Sequence, residues 1–101
     1  MQNETELRSD CLKYLNALHG VVAWPITVKS IKGRRSKMKG LPDIICCFRG
    51  RFIGIECKIG NNKQSPEQLE KEYEIKVKGL GVYLLCRSVD ELINGLTQLE
   101  T

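Results

Sequence analysis

One hundred and one residues with 42% apolar and 28% charged side chains suffice for one globular domain, residues 1–101, with a modest core. The chain has no run of 18 apolar residues and no leader pattern of basic start, apolar stretch and small-residue cleavage site. A membrane span and a secretory signal are therefore not expected, and the chain reads as cytoplasmic. The net charge of +4 is local: Lys29, Lys32, Arg34, Arg35, Lys37 and Lys39 occur without an intervening acid, leaving the rest of the chain at −2. A basic run of this kind suggests a polyanionic partner.

In chain order, Leu7, Cys11, Tyr14, Leu15 and Leu18 recur at helical spacing and predict a helix over 4–18. Glu4 projects from the N-terminal end of its inward face, whereas Glu6 and Asp10 take a solvated face. Gly20 ends this helix. Val21 to Val28 reads as a strand, and Pro25 within it predicts an edge position or a bulge. Residues 29–40 form a long basic hairpin loop. Asp43 to Phe48 is a second strand opened by Pro42, Arg49-Gly50-Arg51 a tight turn, and Phe52 to Lys58 a third strand. After a loop at 60–64, Ser65 caps a helix with Pro66 at its first position and Gln68 completing a capping box; Gly79 stops it. Its buried stripe is predicted to be Leu69, Tyr73, the stem of Lys76, and Val77. Val82 to Cys86 is a fourth strand. Ser88 to Glu91 is a second capping box, opening a helix packed by Leu92, Ile93, Leu96 and Leu99. The order α-β-β-β-α-β-α predicts an α/β fold with a mixed central sheet flanked by helices.

Five cysteines, none in a CxxC pair, read as small buried hydrophobes in a reducing compartment. His19 is the single histidine, which leaves a His-based zinc site almost nothing to use.

The chemistry concentrates at the third strand. Side chains alternate along a strand, so Glu56 and Lys58 share one face while Ile53, Ile55 and Cys57 face the core. Across the hairpin centred on Gly50, Asp43 returns to within a residue of Glu56. Two carboxylates there make a hard-oxygen site suited to Mg²⁺ or Mn²⁺, able to act on a scissile phosphate. Lys58 is placed to hold an attacking water or to stabilise the charged transition state. The alternative from spacing alone is a cross-strand ion pair between Lys58 and either acid.

The runs G-L-P-D-I-I-C-C-F at 40–48, I-E-C-K at 55–58 and S-P-E-Q at 65–68, followed by a G-x-x-V-Y-L-L strand, resemble the VRR-NUC family of the PD-(D/E)xK nuclease superfamily. The resemblance spans nearly the whole chain and implies a restriction-endonuclease-like core. It makes Pro42-Asp43 the PD and Glu56-Cys57-Lys58 the E-x-K. It further implies a divalent metal held by Asp43, Glu56 and the backbone carbonyl of Cys57, with Lys58 as the catalytic lysine. Aligning Tyr14-Leu15 with the family's Y-L pair places its helical acid at Glu4, which would reach the metal through water. Leu7-Arg8 stands where the family often has I-Q, so that glutamine's role does not carry over. Gln68 matches the family's active-site glutamine, although helix capping is a complete alternative.

Stand-alone members of this size resemble phage or prophage enzymes, which would work in the bacterial host cytoplasm. The expected activity is a structure-specific DNA endonuclease, resolving four-way (Holliday) junctions as a homodimer with paired sites. The alternatives are a flap or nonspecific DNA nuclease, or a non-catalytic DNA-binding protein on a nuclease fold. The six cations of the basic loop are expected to bind the DNA backbone without reading bases.

Overall fold

The computed structural model describes residues 2–27 and 38–100. Asn3 caps the first helix by accepting the Glu6 amide at 2.8 Å, and α1 runs Glu4–Asn16. Strands β1 (Val21–Pro25), β2 (Ile44–Phe48) and β3 (Arg51–Cys57) follow, then helix α2 (Pro66–Tyr73), β4 (Val82–Cys86) and α3 (Val89–Leu99). The strand order is β1-β2-β3-β4, antiparallel up to β3 and parallel between β3 and β4. The expected α-β-β-β-α-β-α order and mixed sheet are both observed. Pro25 ends β1 rather than interrupting it, and β1 is an edge strand, where a missing ladder donor is tolerated. Among the described residues no helix is long and apolar enough to cross a membrane.

Helices α1 and α3 cover one sheet face. Leu7, Cys11 and Leu15 of α1 and Leu92 and Leu96 of α3 pack there against Ile44, Cys46, Ile53, Ile55 and Cys57. Each buried aliphatic side chain of this kind stabilises the fold by about 1.5–3 kcal/mol. Cysteines 11, 46, 57 and 86 are buried free thiols, as expected; Cys47 is exposed, because strand alternation turns it to the other face.

Helix α2 covers the opposite face of β3 and differs from expectation in two ways. It does not continue as an α-helix to Gly79: residues Glu74–Lys78 form a π-helical turn, with the Gly79 amide donating to the Glu74 carbonyl at 2.8 Å. Its apolar stripe also points outward, with Leu69 52%, Tyr73 54% and Val77 54% exposed, and Lys76 is exposed too. The inward side is Gln68, Lys71, Glu72 and Ile75. The reason lies beneath the helix, where the sheet presents Glu56 and Tyr83 and needs polar partners. Gly54 leaves the little space that remains: a Cβ there would stand 2.8 Å from Pro42 Cγ and 3.0 Å from Ile75 Cδ1.

The loop entering β2 is clamped onto α2. Gly40 has φ +87°, and a Cβ on it would lie 2.4 Å from the Glu67 carbonyl carbon and oxygen. Gly40→Ala therefore combines left-handed strain with a backbone clash that no rotamer change relieves. It is expected to destabilise the fold by about 3 kcal/mol or more. Gly60→Ala, at φ +59° with nothing within 4 Å of the added Cβ, carries only the strain, about 1 kcal/mol. Urea unfolding of both variants checks the difference.

Candidate active site

The hairpin register pairs Ile44 with Ile55, and one further step sets Asp43 opposite Glu56. The Cys57 amide donates to Asp43 Oδ2 at 2.9 Å, which fixes the aspartate at the mouth of the β2–β3 ribbon. Glu56 is only 1% exposed, enclosed between β3 and α2. Gln68 Nε2 donates to Glu56 Oε1 at 3.0 Å. The other end of the same amide completes the capping box: Gln68 Oε1 accepts the Ser65 amide at 2.8 Å, while Ser65 Oγ accepts the Gln68 amide at 3.2 Å. One end of the Gln68 amide thus completes the helix cap while the other reaches Glu56. The expected box at Ser88 is looser, because Glu91 Oε1 accepts from the Arg87 amide instead of the cap's own.

Glu56 Oε2 is buried and has no hydrogen-bond partner. A buried polar atom left alone costs roughly 1–3 kcal/mol, more if charged. Burial first, then the neighbouring Asp43 carboxylate, push Glu56 from an ordinary 4.5 up to about 8; Lys58 pulls in the opposite direction and Glu4 adds slightly to the rise. Glu56 thus keeps its proton at neutral pH, shared toward Asp43. The orphaned Oε2 and the facing Asp43 form a hard-oxygen pair that fits Mg²⁺ or Mn²⁺. Among the described residues no group of three or more acidic, thiol or imidazole side chains converges on one point. Glu4, exposed in the first turn of α1, lies near enough for its charge to reach Glu56 but completes no such cluster.

Lys58 follows β3, half-buried, with its amide donating to the Cys86 carbonyl at 3.1 Å. No ion pair among the described residues joins Lys58 to Asp43 or Glu56, so the cross-strand salt bridge considered from spacing does not form. Instead Arg8 reaches Asp43, with Nη1 3.6 Å from Oδ1. The sequence pattern does not single out Arg8, although it follows Glu4 by four residues on one helical face. Beneath α2, Gln64 Nε2 donates to the Tyr83 hydroxyl at 2.9 Å and to Glu72 Oε1 at 3.2 Å. Burial and the charge of Glu56 hold that phenol above its ordinary range.

Lys39 pairs with Glu67 at 3.2 Å. Lys29, Lys32, Arg34, Arg35 and Lys37, the other members of the predicted basic loop, lie outside the described residues.

No protein-family model and no curated protein matches the sequence. A solved structure described as a VRR_NUC domain is similar at a TM-score of 0.66 and 27% sequence identity, covering 90% of this chain and 94% of that one. Over nearly its whole length the chain is similar to this VRR_NUC domain. Its α/β core, with a mixed sheet flanked by helices, is the VRR-NUC nuclease fold of PD-(D/E)xK type.

The buried Glu56 has a measurable consequence. Its carboxyl is protonated in folded and unfolded chains alike below about pH 4.5; between there and about pH 8 the unfolded chain loses the proton and the folded one keeps it. In chelator the protein should therefore lose stability as pH rises through that window, with a slope approaching about 1.4 kcal/mol per pH unit from this group. Glu56→Gln should remove that component. Urea unfolding in chelator at pH 5, 6, 7 and 8 compares the two proteins.

Proposed function

We propose that this protein is a Mg²⁺- or Mn²⁺-dependent endodeoxyribonuclease whose site consists of Asp43, Glu56 and Lys58, assisted by Gln68 and Glu4. The observation that carries this reading is the carboxylate pair at the end of β3, with the buried Glu56 Oε2 unpartnered opposite a partly exposed Asp43. A buried acid that costs stability and is left unsatisfied is better explained by a ligand than by packing. Asp43, Glu56 and the carbonyl of Cys57 would hold the metal, with Glu4 acting through water. Such an ion, when bound, neutralises charge on the phosphate and lowers the pKa of a coordinated water.

The side chains then divide the work. The Cys57 amide holds Asp43 and the Gln68 amide holds Glu56, so that neither carboxylate needs to reorganise. Lys58 brings a compact positive charge to the attacking water and to the charge that grows on the phosphate. Water oxygen bonds to phosphorus as the bond to the leaving sugar oxygen breaks; the water gives up a proton to solvent, and the leaving oxygen takes one from solvent. A non-catalytic DNA-binding role would leave the burial of Glu56 without a purpose.

The preferred substrate on this reading is branched DNA, a four-way junction cut by a homodimer. Exposed apolar groups favour a second copy: Trp24 (51%) and Phe52 (45%) on the outer sheet face, and Leu69, Tyr73 and Val77 on α2. The six cations at 29–39 would follow the DNA backbone.

Incubation with a four-way junction, a flap and a linear duplex in Mn²⁺ tests the activity and its preference together. Asp43→Ala and Lys58→Ala are each expected to abolish cleavage, a loss of at least about 10³-fold, while DNA binding persists. Cleavage by either variant would remove the proposed site. Cleavage of duplex alone by a protein that sediments as a monomer would leave a nonspecific nuclease in place of a resolvase. Neutralising the six cations is expected to flatten the salt dependence of DNA binding by up to about five units of slope, read from binding isotherms at several salt concentrations.

A further inference from the structure

Arg8 is the one cation of α1 that enters the carboxylate site, and the arrangement around it is unbalanced. It lies beside Leu7, whose fully buried side chain fixes the rotation of the helix. The guanidinium consequently leans over the mouth of β2, with Nη1 3.6 Å from Asp43 Oδ1 and the two side chains 36% and 24% exposed. At that distance the contact is an ion pair and not a hydrogen bond. A guanidinium carries five donors in a rigid fork, and no hydrogen bond among the described residues uses those of Arg8. Asp43 Oδ2 already accepts from the Cys57 amide, which leaves Oδ1, the oxygen Arg8 approaches, as the freer one for a metal ion.

We propose that Arg8 is a binding residue for the substrate's scissile phosphodiester, resting on Asp43 in the metal-free protein and transferring to non-bridging phosphate oxygens once a divalent cation takes Oδ1. This rests on the nuclease reading of the same site. The planar fork matches two phosphate oxygens in a way that a lysine does not. Its single long ion pair is weak enough to exchange, because half-exposed pairs contribute little. The exchange also answers a local charge problem. Asp43, Glu56 and Glu4 would repel an incoming phosphate, and a guanidinium released on metal binding adds a second positive charge on the α1 side, while Lys58 serves the β3 side.

The test compares wild type with Arg8→Gln and Arg8→Lys without relying on turnover. Mn²⁺ titration of the DNA-free protein by calorimetry should show about two- to fivefold tighter binding in Arg8→Gln, the worth of an exposed ion pair removed from competition. Duplex binding should show a salt slope lower by about one unit for Arg8→Gln in Ca²⁺, which supports binding without cleavage, and an unchanged slope in chelator. Arg8→Lys should keep the slope in Ca²⁺ while losing about tenfold or more in kcat/KM in Mn²⁺, because a point charge replaces the fork. An Arg8→Gln slope that matches wild type in Ca²⁺, or unaltered Mn²⁺ affinity, overturns the proposal. Wild type that cleaves DNA while Arg8→Gln behaves identically defeats the role of Arg8 alone. Wild type that neither cleaves DNA nor loses Mn²⁺ affinity on Asp43→Ala defeats the nuclease reading beneath it.

Discussion

Burial of a single carboxylate organises this fold. Glu56 sits at the end of a central strand, sealed under a helix, and a carboxylate removed from water must be neutralised, hydrogen-bonded or given a cation. The protein does part of each. Gln68 satisfies one oxygen, the opposing Asp43 favours retention of a proton, and Lys58 keeps positive charge near. One oxygen is left over. Keeping this acid out of water costs stability, and the raised affinity of Glu56 for its proton is the form that cost takes.

The polar underside of α2 follows from the same constraint. A helix packed over Glu56 and Tyr83 cannot present leucines to them, so it presents Gln68, Lys71 and Glu72, with Ile75 where the sheet narrows to Gly54. The helix is held down by hydrogen bonds and by backbone contact with the loop at Gly40 more than by an apolar seam. Its apolar residues are left on the outside. The π-helical turn at Glu74–Lys78 widens the helix where Ile75 passes Gly54 and Gly81, and it brings the Gly81 amide to the Ile75 carbonyl at 2.7 Å.

The segments G-L-P-D, I-E-C-K and S-P-E-Q are far apart in the chain but form one packed unit. Gly40 touches the backbone of Glu67, Pro42 lies over Gly54, Asp43 accepts from Cys57, and Gln68 joins its own cap to Glu56. Displacing any of these elements shifts both carboxylates. Positioning of the site therefore depends on the same contacts that close the outer layer of the domain.

Periodicity and turn chemistry were sufficient, from the sequence by itself, for the order of elements, the antiparallel hairpin, the edge position marked by Pro25 and the approach of Asp43 to Glu56. These depend on local geometry: strand alternation, a short turn and helix caps operate over a few residues and do not wait for the rest of the chain. The outward turn of Leu69, Tyr73 and Val77 was not legible, since an apolar helical stripe states only that its residues share a face. Which face is buried depends on what the sheet offers beneath it, and here that is Glu56 and Tyr83. The same holds for Arg8, which meets Asp43 across 35 positions of chain. Long-range polar contacts of this kind leave no periodic trace in the sequence, because they are made by single residues brought together only when the layers close.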